Sequence, residues 1–134
     1  MGDMIGWYSI DMKGDTIDHP PVALPEALAI AKKYYANAGK KYQTAEESTM
    51  ETFFGYARSK EVFLELVVFR DDQVSCHFET ADAVAPEAPW YKKIFASNVF
   101  SRDIDLHSWT EMEIKITEFF ETDPAELRGR MEQA

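Results

Sequence analysis

Three apolar segments separated by short polar turns constrain the fold of this chain more than any other feature. The segments read TMETFFGYAR, EVFLELVVFR and QVSCHFET, and the separators contain Ser-Lys and Asp-Asp. Strands that are joined by such short turns pair with their neighbours in the antiparallel direction. The sequence therefore predicts an antiparallel meander across residues 49–80.

The register of this meander follows from burial. Side chains alternate between the two faces of a strand, so a one-residue change in turn length moves a whole strand's apolar set to the other face. Turns of three residues place all the apolar positions on one face, whereas two-residue turns would mix them with polar ones. The predicted core face consists of Phe54, Tyr56, Leu64, Leu66, Val68, Val74, Cys76 and Phe78.

The opposite face of the same strands combines aromatic and charged residues. Exposed aromatic patches that are rimmed by charge are typical of interaction surfaces. We predict that this face binds a partner, unless the C-terminal helices cover it. The predicted partner-binding residues are Phe53, Phe63, Val67, Phe69 and His77, and they lie beside Glu51, Glu65 and Glu79.

The remaining segments add helices and two more strands. Residues 4–12 and 99–107 are predicted strands, and residues 13–25 are a predicted loop because Gly and three prolines interrupt them. A helix is predicted from Pro25 to Ala38, with Gly39 at its end. Residues 89–97 form a second, short helix. Residues 108–121 are predicted to be helical, since Ser108 and Glu111 match a capping box, and a last helix follows Pro124.

These elements predict one α+β domain across residues 1–134, with a three- to five-stranded antiparallel sheet packed against helices. Their order, β-α-β-β-β-α-β-α, fits a variant of the ferredoxin-like fold. If the segment around Ile114 were a strand instead, the order after the first strand would be α-βββ-α-ββ-α. That order is similar to the type III secretion chaperones, which are also small, acidic and dimeric.

The charge of the chain limits its partners. The formal net charge is -10 and no basic stripe is present, so nucleic acids and anionic membranes are not expected partners. The expected partner is another protein, for which this acidity favours a basic one, or a second copy of the chain in a homodimer. A single cysteine, no signal peptide and no long apolar run predict a cytoplasmic protein.

Cys76 and His77 are adjacent in the sequence but do not form a catalytic pair. Consecutive side chains of a strand point to opposite faces, so Cys76 is predicted in the core and His77 on the other surface. The sequence contains no phosphate loop, nucleophile elbow or HExxH motif. We therefore predict no catalytic residues, no cofactor and no metal, and an adaptor-like, immunity-like or chaperone-like binding protein.

Two alternatives start from other residues. Asp103, Asp105 and His107 recur with a period of two, so one strand face would hold potential ligands of a divalent metal. A metal-dependent enzyme or a small-molecule sensor using this face is the alternative function. In a third hypothesis, a small-molecule pocket is walled by tryptophans and tyrosines. Its tryptophans are Trp7, Trp90 and Trp109.

Overall fold

The structure, a computed structural model, describes residues 4–11, 13–37, 52–59, 61–70, 72–80 and 100–132. Within these ranges the strands are β1 (Ile5–Ile10), β2 (Thr16–Val22), β3 (Phe53–Ser59), β4 (Val62–Arg70), β5 (Gln73–Thr80) and β6 (Phe100–Leu106). The helices are α1 (Leu24–Ala36), α2 (Trp109–Glu121) and α3 (Pro124–Glu132). No helix in the described ranges is long and apolar enough to cross a membrane.

The described strands form one six-stranded sheet in the order β2-β1-β3-β4-β5-β6. Every pairing between neighbours is antiparallel. The prediction of an α+β fold with an antiparallel sheet is confirmed. The predicted meander is present as β3, β4 and β5, and the predicted strand near residue 100 extends it as β6.

One face of this sheet supplies the core, as the register argument predicts. All eight residues of the predicted core face are at most 1% exposed. The buried residues of the three helices belong to the same apolar cluster. They are Ala27 and Ala31 of α1, Met112, Ile116, Phe119 and Phe120 of α2, and Leu127 and Met131 of α3. The helices therefore cover the core face, which we call the inner face.

Helix α1 starts close to its predicted position and is tied to the sheet by a tyrosine. Pro25 lies in its first turn, where a missing N–H costs nothing, and Asn37 ends the helix. The Tyr56 hydroxyl donates a buried hydrogen bond of 2.7 Å to the Ala27 carbonyl. This bond satisfies the only polar atom of a side chain that is otherwise packed among aromatic rings.

Helix α2 confirms the helical prediction for residues 108–121. The Ser108 hydroxyl accepts a hydrogen bond from the Glu111 amide at 3.2 Å, and the Glu111 carboxylate accepts one from the His107 amide. Met112, Ile116, Phe119 and Phe120 are buried on one side of the helix, while Ile114 is 48% exposed. The alternative prediction of a strand at this position, on which the chaperone-like order depends, is therefore wrong.

The prediction of a loop across residues 13–25 is also wrong, because residues 16–22 form β2. Gly14 has a φ of 85° and allows the tight turn that joins β1 to β2. The register shifts between Ile5 and Trp7, opposite Pro20 and Pro21. A bulge on an edge strand is a place where prolines without N–H groups can be accommodated.

The predicted order and strand count need correction as well. Both β2 and β3 run antiparallel to β1, so β2, α1 and β3 form a split β-α-β unit with β1 between the two strands. A ferredoxin-like fold would need a second such unit. Here β3 to β6 continue as successive antiparallel neighbours instead. The predicted short helix at residues 89–97 lies outside the described residues.

Candidate functional site

The sheet surface opposite the core carries the candidate site, and we call it the outer face. One row of directly paired residues crosses all six strands, from Asp18 through Tyr8, Gly55, Glu65 and His77 to Asp103. Neighbouring rows add the aromatic and polar residues that share this side of the sheet. They are Thr16, Phe53, Ala57, Phe63, Val67, Phe69, Ser75, Glu79, Ser101 and Asp105.

The five predicted partner-binding residues lie together on this face. Phe53, Phe63, Val67 and His77 are half-buried among their neighbours, and Phe69 is 57% exposed. The described C-terminal helices pack on the inner face, so the alternative in which they cover these aromatic residues is wrong.

The charge of the outer face is predominantly negative. Five carboxylates of the described strands lie on it, those of Asp18, Glu65, Glu79, Asp103 and Asp105, and the imidazole of His77 lies among them. The described strands contain no lysine, and three arginines. Arg58 reaches α2 and Arg102 donates to the Met131 carbonyl on the helix side, whereas Arg70 pairs with Gln73 at the margin of the outer face.

His77 lies at the centre of the acidic row. Its Nδ1 atom is 2.6 Å from an oxygen of Asp103, and its Nε2 atom is 3.4 Å from an oxygen of Glu79. Ionised carboxylates only accept hydrogen bonds, so both ring nitrogens donate when the imidazole is protonated. The ring also packs against Phe63, with 5.9 Å between ring centroids.

The surroundings of His77 favour its charged form. Partial burial lowers the pKa of His77, but the hydrogen bonds to Asp103 and Glu79 and the charges of these carboxylates outweigh that effect. The pKa of His77 is therefore raised above its ordinary value of 6.5. The imidazolium partly neutralises the acidic face and links β5 to β6.

We expect the titration of His77 to reveal this arrangement. NMR of the imidazole should give a midpoint above that of a histidine in an unfolded peptide, and Asp103→Asn should lower it. Because the folded-state pKa is raised, the contact stabilises the protein below the unfolded-state pKa and this stabilisation is lost as the pH rises through the folded-state pKa. Asp103→Asn should thus lower the melting temperature at pH 6 more than at pH 9. Asp105→Asn is the control on the same strand, and an equal response to both variants would contradict the assignment.

Tyr8 fills the space above a glycine in the same row. Its ring lies over Gly55, and a Cβ atom at that position would be 2.8 Å from Tyr8 Cε1 and still closer to Cζ and the hydroxyl. Tyr8 is only 8% exposed although it belongs to the outer face. Its burial therefore depends on the missing side chain of Gly55.

The hydroxyl of Tyr8 is unusual among the buried polar atoms. It has no partner at ordinary hydrogen-bond distance among the described residues. Burial raises the pKa of Tyr8 well above 10, and the charge of the Glu65 carboxylate and a longer side-chain hydrogen bond with it raise the pKa further. The phenol is thus neutral, and its hydroxyl interacts with the Glu65 carboxylate.

A cleft of about 360 Å³ is lined in part by Tyr8. Its volume lies at the lower end of the range for small-ligand sites. Aromatic and aliphatic side chains form its walls and two carboxylates lie along it. The lining residues are Tyr8, Thr16, Asp18, Ala57, Ser59, Phe63 and Glu65.

Asp103, Asp105 and His107 do not come together as a metal site. Asp103 contacts His77, and the Nδ1 atom of His107 lies 3.2 Å from the carbonyl of Asp72 in the turn before β5. No three His, Cys, Asp or Glu side chains in the described part of the chain are grouped closely enough to hold a metal ion.

Cys76 and the tryptophans are placed away from the acidic row. Cys76 is fully buried on the inner face, as predicted, and burial raises the pKa of its thiol to about 12. Trp7 stacks on His19, with 3.8 Å between ring centroids, and Trp109 packs against Tyr35 and below Lys32. Trp90 lies outside the described residues.

Sequence reasoning missed Tyr8, Asp18 and Gly55. The strand predicted at residues 4–12 is present as β1, but no local pattern in the sequence indicates its pairing with β3, and the predicted loop at residues 13–25 contains Asp18. The sequence does contain one signal for Tyr8: side chains alternate along a strand, so Gly6, Tyr8 and Ile10 lie on the same face of β1.

Comparison of the chain with protein-family models, with curated proteins and with solved structures gives no match.

Proposed function

We propose that this protein is a non-catalytic binding protein whose outer face captures a basic segment of another protein. The observation that supports this most is the predominantly acidic outer face, where five carboxylates are interleaved with aromatic rings and Arg70 at the margin is the one arginine that the described strands place there. Carboxylates steer a cationic partner, and aromatic faces attract ammonium and guanidinium groups at short range.

A basic partner fits this face better than a second copy of the chain. Face-to-face self-association would bring the same carboxylates against each other, and like charges across an interface cost several kcal/mol. The net charge of -10 adds long-range repulsion between copies and long-range attraction to cations. The role is thus that of an adaptor-like, immunity-like or chaperone-like protein, and we place it in the cytoplasm.

A charge-matched pair of variants tests the proposal. Fluorescence anisotropy with a labelled lysine octamer should show binding to the wild-type protein that weakens as salt is added. Glu79→Gln/Asp103→Asn should weaken this binding by about tenfold if each lost ion pair contributes roughly 0.5–1 kcal/mol. Glu113→Gln/Glu121→Gln removes the same charge from exposed positions of α2 and should change the affinity little.

The aromatic part of the face has its own variant. Phe63→Ala should weaken octamer binding while the protein keeps its far-UV circular dichroism and a cooperative melt, because Phe63 lies outside the buried core. If the wild type does not bind the octamer, or if the two double variants weaken binding equally, the proposed function is wrong. A dimer in light scattering that Phe63→Ala dissolves would identify a second copy as the occupant.

A further inference from the structure

His77 occupies two of the carboxylates that a basic partner would use. Its Nδ1 atom is 2.6 Å from an oxygen of Asp103 on β6, and its Nε2 atom is 3.4 Å from an oxygen of Glu79 on β5. Its direct neighbour on β4 is Glu65, and Phe63 of the same strand packs against the ring. The imidazole therefore lies among three carboxylates, one from each of these strands.

The other charged groups of the outer face are further from the imidazole. Asp105 lies at the next outward-facing position of β6, and Asp18 lies on β2 at the far edge of the sheet. Arg70 donates a hydrogen bond to Gln73 where β4 turns into β5, four residues from His77. The described helices pack on the inner face. The proton of His77 thus acts mainly on the three carboxylates around it.

The charge of the imidazole decides how these carboxylates are used. A protonated ring donates from both nitrogens, so it can satisfy Asp103 and Glu79 together. A neutral ring keeps one N–H, so one carboxylate remains hydrogen-bonded and the other faces a lone pair. Loss of the proton therefore adds one negative charge to the balance of the face and releases one carboxylate.

This change takes place while the other groups keep their charges. Partial burial opposes the charge on His77, but its contacts with Asp103 and Glu79 outweigh that effect and hold the pKa of His77 above its ordinary value of 6.5. Ordinary carboxyl groups titrate near pH 4 and lysine above pH 10, so both stay ionised around the pH at which a histidine titrates.

We propose that the proton on His77 and the basic groups of the partner compete for the same carboxylates, so that the outer face binds its partner more tightly as His77 loses its proton. This inference rests on the proposed function and adds its regulation. The protonated ring is a counter-ion supplied by the protein itself, and a cation of the partner replaces it beside Asp103 and Glu79. Because coupling between two binding events is reciprocal, the bound partner lowers the proton affinity of His77 by the same factor.

Fluorescence anisotropy with a labelled arginine octamer at pH 6 and pH 9 tests the competition, because guanidinium groups stay charged across this range. The wild type should bind about threefold more tightly at pH 9, the effect of one exposed charge. His77→Gln cannot be protonated and should bind at pH 6 about as tightly as the wild type does at pH 9. His77→Lys keeps its charge and should bind at pH 9 about as weakly as the wild type does at pH 6.

His19→Gln is the matched control. It makes the same substitution on β2, where His19 stacks on Trp7 on the side of the strand opposite to Asp18, and it should keep the pH dependence of the wild type. A second measurement needs no variant. Saturation of the wild type with the arginine octamer should lower the NMR titration midpoint of His77 by roughly half a pH unit, which corresponds to the same threefold coupling.

The outcomes separate the competition from the proposed function. Equal binding by the wild type at both pH values, tighter binding at pH 6, or an unchanged pH dependence in His77→Gln would overturn the competition and leave the proposed function intact, since the octamer still binds. An octamer that leaves the midpoint of His77 unmoved would overturn the competition as well. Failure of the octamer to bind the wild type at either pH would overturn the proposed function and the competition together.

Discussion

Gly55→Ala should destabilise the protein by about 3 kcal/mol, near the upper end of the usual cost of overpacking. The new methyl group would enter the space of the Tyr8 ring, which contacts the Gly55 backbone from directly above. The ring cannot yield easily, since Tyr8 is almost completely buried on a paired strand. Alanine is otherwise preferred over glycine in a strand, so a loss of this size must come from the clash. Urea denaturation measures it.

Two further variants isolate the cause. Gly129→Ala in α3 meets no atom within 4 Å, and we expect it to stabilise the protein by about 0.5–1 kcal/mol through helix propensity. In a Tyr8→Ala background, Gly55→Ala should lose most of its cost, which appears as a coupling free energy in the double-mutant cycle. If the two changes add without coupling, Tyr8 is not the residue that requires glycine at position 55.

Arg58→Met should lower the free energy of unfolding by about 2–3 kcal/mol, the value of hydrogen bonds to a charged group. The guanidinium of Arg58 donates to the carbonyls of Phe119 and Phe120, each at 3.0 Å, in the last turn of α2. These carbonyls have no partner within the helix and form its negative end. The charge of Arg58 also lies 5.7 Å from the centre of the Phe119 ring.

Arg70→Met is the control for Arg58→Met. Arg70 carries the same charge at the exposed end of β4, and its distance of 3.8 Å to Asp72 is that of a loose surface ion pair. Its replacement should change stability by no more than about 0.5 kcal/mol. Arg58→Lys should recover part of the loss, because one ammonium group cannot serve both carbonyls as the planar guanidinium does. Equal effects of Arg58→Met and Arg70→Met in chemical denaturation would contradict the capping role.

The features that could be predicted from the sequence are those that depend on residues close together in the chain. The register of β3, β4 and β5 is set by a local alternation between Phe54 and Phe78, so the core face could be predicted residue by residue. Helix α2 was predictable for the same reason, since Ser108 and the 3.6-residue spacing of its apolar residues are local. These patterns need no knowledge of which distant segments meet.

The parts that sequence reasoning missed depend on pairing across the chain. Strand β2 contains two consecutive prolines and is held only by β1, so its own composition indicates a loop. The row from Asp18 to Asp103 joins six strands, and no local pattern shows that Tyr8 lies over Gly55 or that His77 faces Asp103. The five predicted partner-binding residues do lie together because they belong to strands joined by short turns, and the cleft could not be predicted because its walls come from four strands.

The prolines of β2 have a consequence for the behaviour of the protein at high concentration. Among the described strands, β2 and β6 lie at the two edges of the sheet, where free backbone groups can recruit a strand from another molecule. Pro20 and Pro21 leave the edge strand β2 with fewer N–H donors, and the exposed carboxylates of Asp103 and Asp105 repel an approaching strand at the other edge. Both edges of the described sheet therefore disfavour the addition of a strand from another molecule and amyloid-like growth.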